Sequence, residues 1–180
     1  MKAKIVFLIT IMFSSTAFSE TEEFDDPFDV SESQFEIAEL GIVKRVDVDA
    51  LEERSRELFN SGDCVAAIPV LDEYARKSNS LANIIAQALE PYYSASYDDR
   101  QDFPRERLMP LIPLETLSNN YKQKRNIAYA MHGECLLKLG KEEEALPILS
   151  RALDLIEIDN ETWWVRTRNN LLQIVGVVVE

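Results

Sequence analysis

One histidine, two cysteines and five glycines are all that this 180-residue chain offers of the residue types on which many catalytic sites depend. No glycine-rich stretch is present to cradle a phosphate. A metal centre wants three or four converging ligands. His132 and Cys135, three residues apart on one helical face, supply two, and Cys64 is expected to lie far from them. A cysteine hydrolase needs its thiol beside the base in a cleft, with a third group to orient the base, and nothing in the pattern provides that group. Asp98-Asp99 lacks the spacing of a calcium loop. Glu142-Glu143-Glu144 reads as the opening of a helix, where the macrodipole favours negative charge. The reading is therefore non-enzymatic, with no catalytic, cofactor-binding or metal-binding residues and no cofactor.

Positive charge is also scarce. Nineteen basic side chains face 32 acidic ones, a formal net charge of −13. Nucleic acid and anionic membrane surfaces would repel such a chain, which removes both as expected partners. The imbalance is concentrated, because residues 20–39 hold nine acidic side chains and no basic one. Phe24, Phe28 and Phe35 are spaced through this segment. Its low hydrophobicity and like charge give it little to bury, so an acidic, flexible arm is expected over residues 20–48.

Long hydrophobic runs are absent. The apolar stretch Ile5–Phe13 is too short to span a bilayer, and it follows Lys2 and Lys4 and precedes Ala17-Phe18-Ser19. This is the pattern of an export signal cleaved after Ser19, which implies a periplasmic or secreted protein with no membrane insertion once the signal is removed.

What the sequence does carry is one phrase written three times: Ala67-Ile68-Pro69-Val70-Leu71, Leu111-Ile112-Pro113-Leu114-Glu115 and Ala145-Leu146-Pro147-Ile148-Leu149. Pro113 and Pro147 are 34 residues apart, the period of a helix–turn–helix solenoid. Asp49 and Glu52 have the spacing of a capping box, Gly62 and Gly140 stop helices, and Asp63 can cap the helix that follows. Residues 94–104 read as a loop. The expectation is an all-α domain over 49–180, with hairpins at about 49–77, 80–120 and 124–157 and a capping helix at about 160–178.

The last hairpin resembles a tetratricopeptide repeat. Tyr129, Gly133 and Leu136, then Gly140, then Ala145, Leu149 and Ala152 fall at that family's intervals. Leu51, Ser55, Leu58, Gly62, Ala67 and Leu71 occupy the same register in the first hairpin, with Ser55 in place of a glycine. Glu157 stands where the family usually closes a repeat with proline, and the middle unit keeps little beyond its Ile-Pro phrase. A helical bundle without repeats is the alternative. The resemblance implies a concave groove lined by Glu52, Arg56, Phe59 and Asn60 in the first unit and by Ile127, Ala130, Glu134, Leu137 and Lys138 in the third. Trp163 and Trp164, with Arg168, form a second docking candidate, because adjacent helical residues point about 100° apart and one packing face cannot cover both.

On the repeat reading two helix layers separate Cys64 from Cys135. At 8–10 Å per layer that is roughly 20 Å, and a disulfide needs Cα atoms within about 4.4–6.8 Å, so no intramolecular bond is expected. The functional expectation is a non-catalytic exported adaptor that holds a protein or peptide in its groove. The alternatives are a helical assembly subunit of an envelope complex or a self-associating structural protein and, ranked below them, a small envelope hydrolase.

Overall fold

The computed structural model describes residues 40–177, so the expected export signal, most of the expected acidic arm and the last three residues lie outside it. Seven helices, and no strand, make up the described residues: α1 (Arg45–Ser61), α2 (Cys64–Gln87), α3 (Tyr97–Gln101), α4 (Arg105–Leu108), α5 (Ile112–Lys138), α6 (Glu142–Leu155) and α7 (Glu161–Ile174). None of these helices is long and apolar enough to cross a membrane.

The turns form where glycine permits them. Gly62 (φ 80°) and Gly140 (φ 73°) adopt the left-handed conformation that closes α1 and follows α5. Asp63 then accepts a hydrogen bond from the Ala66 N–H at 3.1 Å and starts α2. The start of α1 differs from expectation. The Asp47 carboxylate accepts from the Lys44 N–H at 3.3 Å, so the helix begins at Arg45 and Asp49 lies inside it. The expected arm is correspondingly shorter than residue 48, because Val43 and Val48 are buried in the main core.

The middle of the chain corrects the hairpin boundaries. Residues 77–80, expected to be a turn, lie within the 24-residue α2, and residues 120–124 lie within the 27-residue α5. Serine and asparagine alone do not stop a helix whose small side chains are useful in packing. Ala75, Ser78, Ala82, Ser118 and Ala128 are all buried, and such small side chains let α2 and α5 approach along their length. The Ser118 hydroxyl donates to the Ala82 carbonyl at 2.9 Å across this contact. Between the two long helices, residues 88–111 hold two short helices. The first of them, α3, is capped by Ser96 and lies within the expected loop.

The three proline phrases are therefore not equivalent. Pro69 and Pro147 each occupy the sixth position of their helix, whereas Pro113 sits in the first turn of α5, where its missing N–H costs nothing. The 34-residue interval joins unlike positions. The real correspondence is between the α1–α2 hairpin and the hairpin formed by the end of α5 with α6: Ser55 with Gly133, Gly62 with Gly140, Ala67 with Ala145 and Leu71 with Leu149, all at one offset.

With no hairpin between them, α2 packs directly on α5, and this overturns the cysteine expectation. Cys64 and Cys135 form a disulfide with Cα atoms 5.0 Å apart, both side chains buried in the main core. The roughly 20 Å separation assumed an intervening layer that does not exist. Around this centre α1 packs on α2, α6 on α5, and α7 on both α6 and α5.

Candidate functional site

Helices α1 and α7 both bring side chains to α5, and Phe59 of α1 and Trp163 of α7 meet there with ring centroids 6.1 Å apart. Phe59 stands on the last full turn before Gly62, and Trp163 on the first turn of α7. Phe59 is buried, and Ala130 of α5 packs with Trp163 in an adjoining apolar cluster.

Beside the aromatic pair, Glu134 of α5 receives a two-pronged hydrogen bond from Arg166. The guanidinium Nε donates to Oε2, and Nη2 donates to Oε1 at 2.6 Å. Lys138, one turn on, adds its ammonium at 2.9 Å. Both cations also lie over the Phe59 ring, at 4.8 Å for Lys138 and 5.3 Å for Arg166. Burial would raise the Glu134 carboxyl, but the hydrogen bonds and charges of Arg166 and Lys138 outweigh it and hold the group below the usual carboxylate range.

A second network continues along α1 and α5. Lys124 bonds Glu52 at 2.7 Å and Asp49 at 3.0 Å, and Arg56 bonds Glu52 at 2.8 Å. Burial alone would lower the Lys124 ammonium, yet its two carboxylates raise it above its ordinary value. Glu52 with Arg56, and Glu134 with Lys138 and Arg166, turn the carboxylate inward and the cation outward, whereas Lys124 is the inner partner of Asp49, their side chains 20% and 42% exposed. The Glu52 and Glu134 side chains are 19% and 9% exposed, whereas those of Arg56, Lys138 and Arg166 are 57%, 47% and 44% exposed. A protein of net charge −13 thus presents the positive tips of Lys138 and Arg166 over a buried aromatic ring, with Arg56 one turn away on α1.

The structure divides the groove residues taken from the resemblance. Glu52, Arg56, Phe59, Glu134 and Lys138 belong to these networks, and Asn60 is exposed on the same turn as Phe59. Ile127 packs against the main core. Leu137 joins Leu136, Ala145, Leu149, Leu171 and Ile174, in a different cluster from Phe59. Of the second docking group, Trp163 lies against Phe59, while Trp164 is covered by the Arg168 guanidinium at 5.1 Å. Sequence reasoning missed Arg166 and Lys124. Arg166 follows Trp163 by three residues, a helical spacing that puts the two on one face. Lys124 lies one turn before the first residue assigned to the groove in its unit.

The reactive pair considered from the sequence has no thiol to offer. Cys135 is bonded to Cys64 and buried, and burial lowers His132, with Asp72 and Glu144 opposing only in part. Glu142–Glu144 do form the first turn of α6. Among the described residues no three His, Cys, Asp or Glu side chains converge to hold a metal ion. An open cavity of about 640 Å³ runs along α7, lined by Glu161, Thr162, Val165, Arg166, Asn169 and Asn170. Comparison with protein-family models, with curated proteins and with solved structures finds no match to this chain.

Proposed function

We propose that this chain is a non-catalytic exported adaptor, a short tetratricopeptide-like array that binds a protein or peptide on the face where α1, α5 and α7 meet. The observation that carries this reading is the inversion of charge on that face. The buried Glu134 carboxylate orients Lys138 and Arg166, whose cationic tips stay half exposed over Phe59. Arginine, tryptophan and tyrosine dominate the energetics of protein interfaces, and fixed side chains lose less entropy when a partner arrives. The shared register of the two hairpins supports the repeat reading. The disulfide fits an oxidising compartment such as the periplasm, in keeping with the signal-like N-terminus.

The test is capture from native envelope extract by the mature chain, residues 20–180, beside an Arg56→Gln/Lys138→Gln variant. Both positions are about half exposed, so the variant keeps its fold. A partner held by the wild type and lost by the variant supports the adaptor reading on this face. A partner held equally by both moves the function elsewhere. Self-association is the second reading, favoured by Val65, Leu139 and Leu146, which are exposed near the disulfide-linked ends of α2 and α5. A solution mass that does not change with concentration would remove it.

A further inference from the structure

We propose that the chain's own acidic segment, residues 20–39, occupies the α1–α5–α7 face, with Phe24 and Phe28 against the partly exposed Trp163 and the flanking carboxylates on Arg56, Lys138 and Arg166. The inference rests on the functional reading above, because it names the occupant of the same face and therefore the chemistry of any competitor: an acidic peptide containing aromatic residues.

Charge complementarity carries the argument. The segment holds nine acidic side chains and no basic one, and Glu22-Glu23-Phe24-Asp25-Asp26-Pro27-Phe28-Asp29 concentrates acid around two aromatic rings. The face offers the converse. Lys138 and Arg166 lie over the Phe59 ring, half-exposed Arg56 stands one turn earlier on α1, and the carboxylates that pair with these cations, Glu52 and Glu134, are largely withdrawn from solvent. Glu161 at the start of α7 is the acidic residue lining the adjoining cavity, where Thr162, Val165, Asn169 and Asn170 are neutral.

The length and exit point of the segment agree. Leu40, where the described chain begins, packs against the same core cluster as Phe59. From the start of α1 to Phe59 is about 21 Å along the helix at 1.5 Å per residue. An extended chain covers that distance in about seven residues. Phe28 lies twelve residues before Leu40, which leaves enough chain to reach the face and turn onto it.

The experiment uses a synthetic peptide of residues 20–39 and two forms of the mature chain, wild type and Phe24→Ala/Phe28→Ala. An attached segment competes with the added peptide at an effective concentration near millimolar. The peptide is expected to bind the arm variant about tenfold more tightly than the wild type, and more weakly as salt rises. Adding Arg56→Gln/Lys138→Gln to the arm variant should abolish that binding. Equal affinity for wild type and arm variant overturns the proposal, as does binding to neither or binding that survives loss of the two cations. A mass that rises with concentration for the wild type and not for the arm variant would place the segment on a second copy, and this also overturns occupancy within one chain. Any of these failures leaves the adaptor reading to its own capture test, because a partner lost with Arg56 and Lys138 does not depend on where the arm lies.

Discussion

Gly133 of α5 faces Leu149 of α6 so closely that a Cβ on the glycine would stand 2.5 Å from the leucine Cγ. Leu149 is fully buried in a cluster with Leu136 and Ala145, so its side chain can withdraw only by displacing other core side chains. Gly133→Ala gains up to about 1 kcal/mol in helix propensity, but overpacking a filled core costs about 1–3 kcal/mol. The clash should win, and denaturant unfolding should show a net loss of stability. Ser55 holds the corresponding place in the first hairpin, with its hydroxyl donating to the Glu52 carbonyl at 2.9 Å. Ser55→Ala introduces no bulk and should cost less than Gly133→Ala. A Gly133→Ala protein as stable as the wild type would mean that α5 and α6 are farther apart than described.

The disulfide closes a loop with a sequence separation of 71. The chain-entropy relation assigns such a cross-link about 4 kcal/mol. Reduction, or the Cys64→Ser/Cys135→Ser pair, should therefore lower the urea midpoint sharply, and thiol titration of the unfolded but unreduced protein should find no free sulfhydryl. A reactive thiol in that assay would contradict the bond.

Acid should weaken the junction of α5 and α7. Because the folded Glu134 carboxyl is held below its ordinary value by Arg166 and Lys138, its contribution is complete above the carboxylate range of the unfolded chain. It is lost as pH falls through the lower, folded value. Glu134→Gln should flatten the acid limb of a stability-against-pH curve and cost about 1–3 kcal/mol at pH 7, the range for losing hydrogen bonds to a charged group. An unchanged acid limb would show that the ion pair does not persist in solution.

Binding and stability should separate on the proposed face. Phe59 is only 6% exposed, and Phe59→Ala should cost about 3 kcal/mol or more by cavity formation. Arg56→Gln should stay within about 0.5 kcal/mol of the wild type. A binding defect in the arginine variant with unchanged thermal unfolding would place the recognition energy on the cationic rim.

The helix stops at Gly62 and Gly140, the cap at Asp63 and the shared register of two hairpins were legible because each depends on local chemistry that the residue type dictates. The middle of the chain was not. Ser78, Asn79 and Ser80 carry turn-forming character, yet both serines are buried and the Asn79 side-chain oxygen accepts from Arg125 of α5, so tertiary contact outweighed propensity. That error propagated. A hairpin counted where none exists set the cysteines two layers apart, and the prediction about the disulfide inherited the mistake. Half of the candidate face was found by register alone. Arg166 and Lys124 were missed because the register assigns positions within a unit, and these cations join one element to another.

The long pair α2–α5 is fastened toward both ends. Cys64 at the start of α2 is tied to Cys135 near the end of α5, and the Ala82 carbonyl toward the other end of α2 receives the Ser118 hydroxyl from the opening turns of α5. The two fastenings are about 27 Å apart along α2. A single contact lets two rods swivel, but two separated contacts remove both the swivel and the slide. Arrays of independent hairpins flex unit by unit, each carrying its own share of the binding surface. Here α1 rides on one rod while α6 and α7 ride on the other, so the gap between Phe59 and Trp163 is set by a braced frame and not by the partner that enters it.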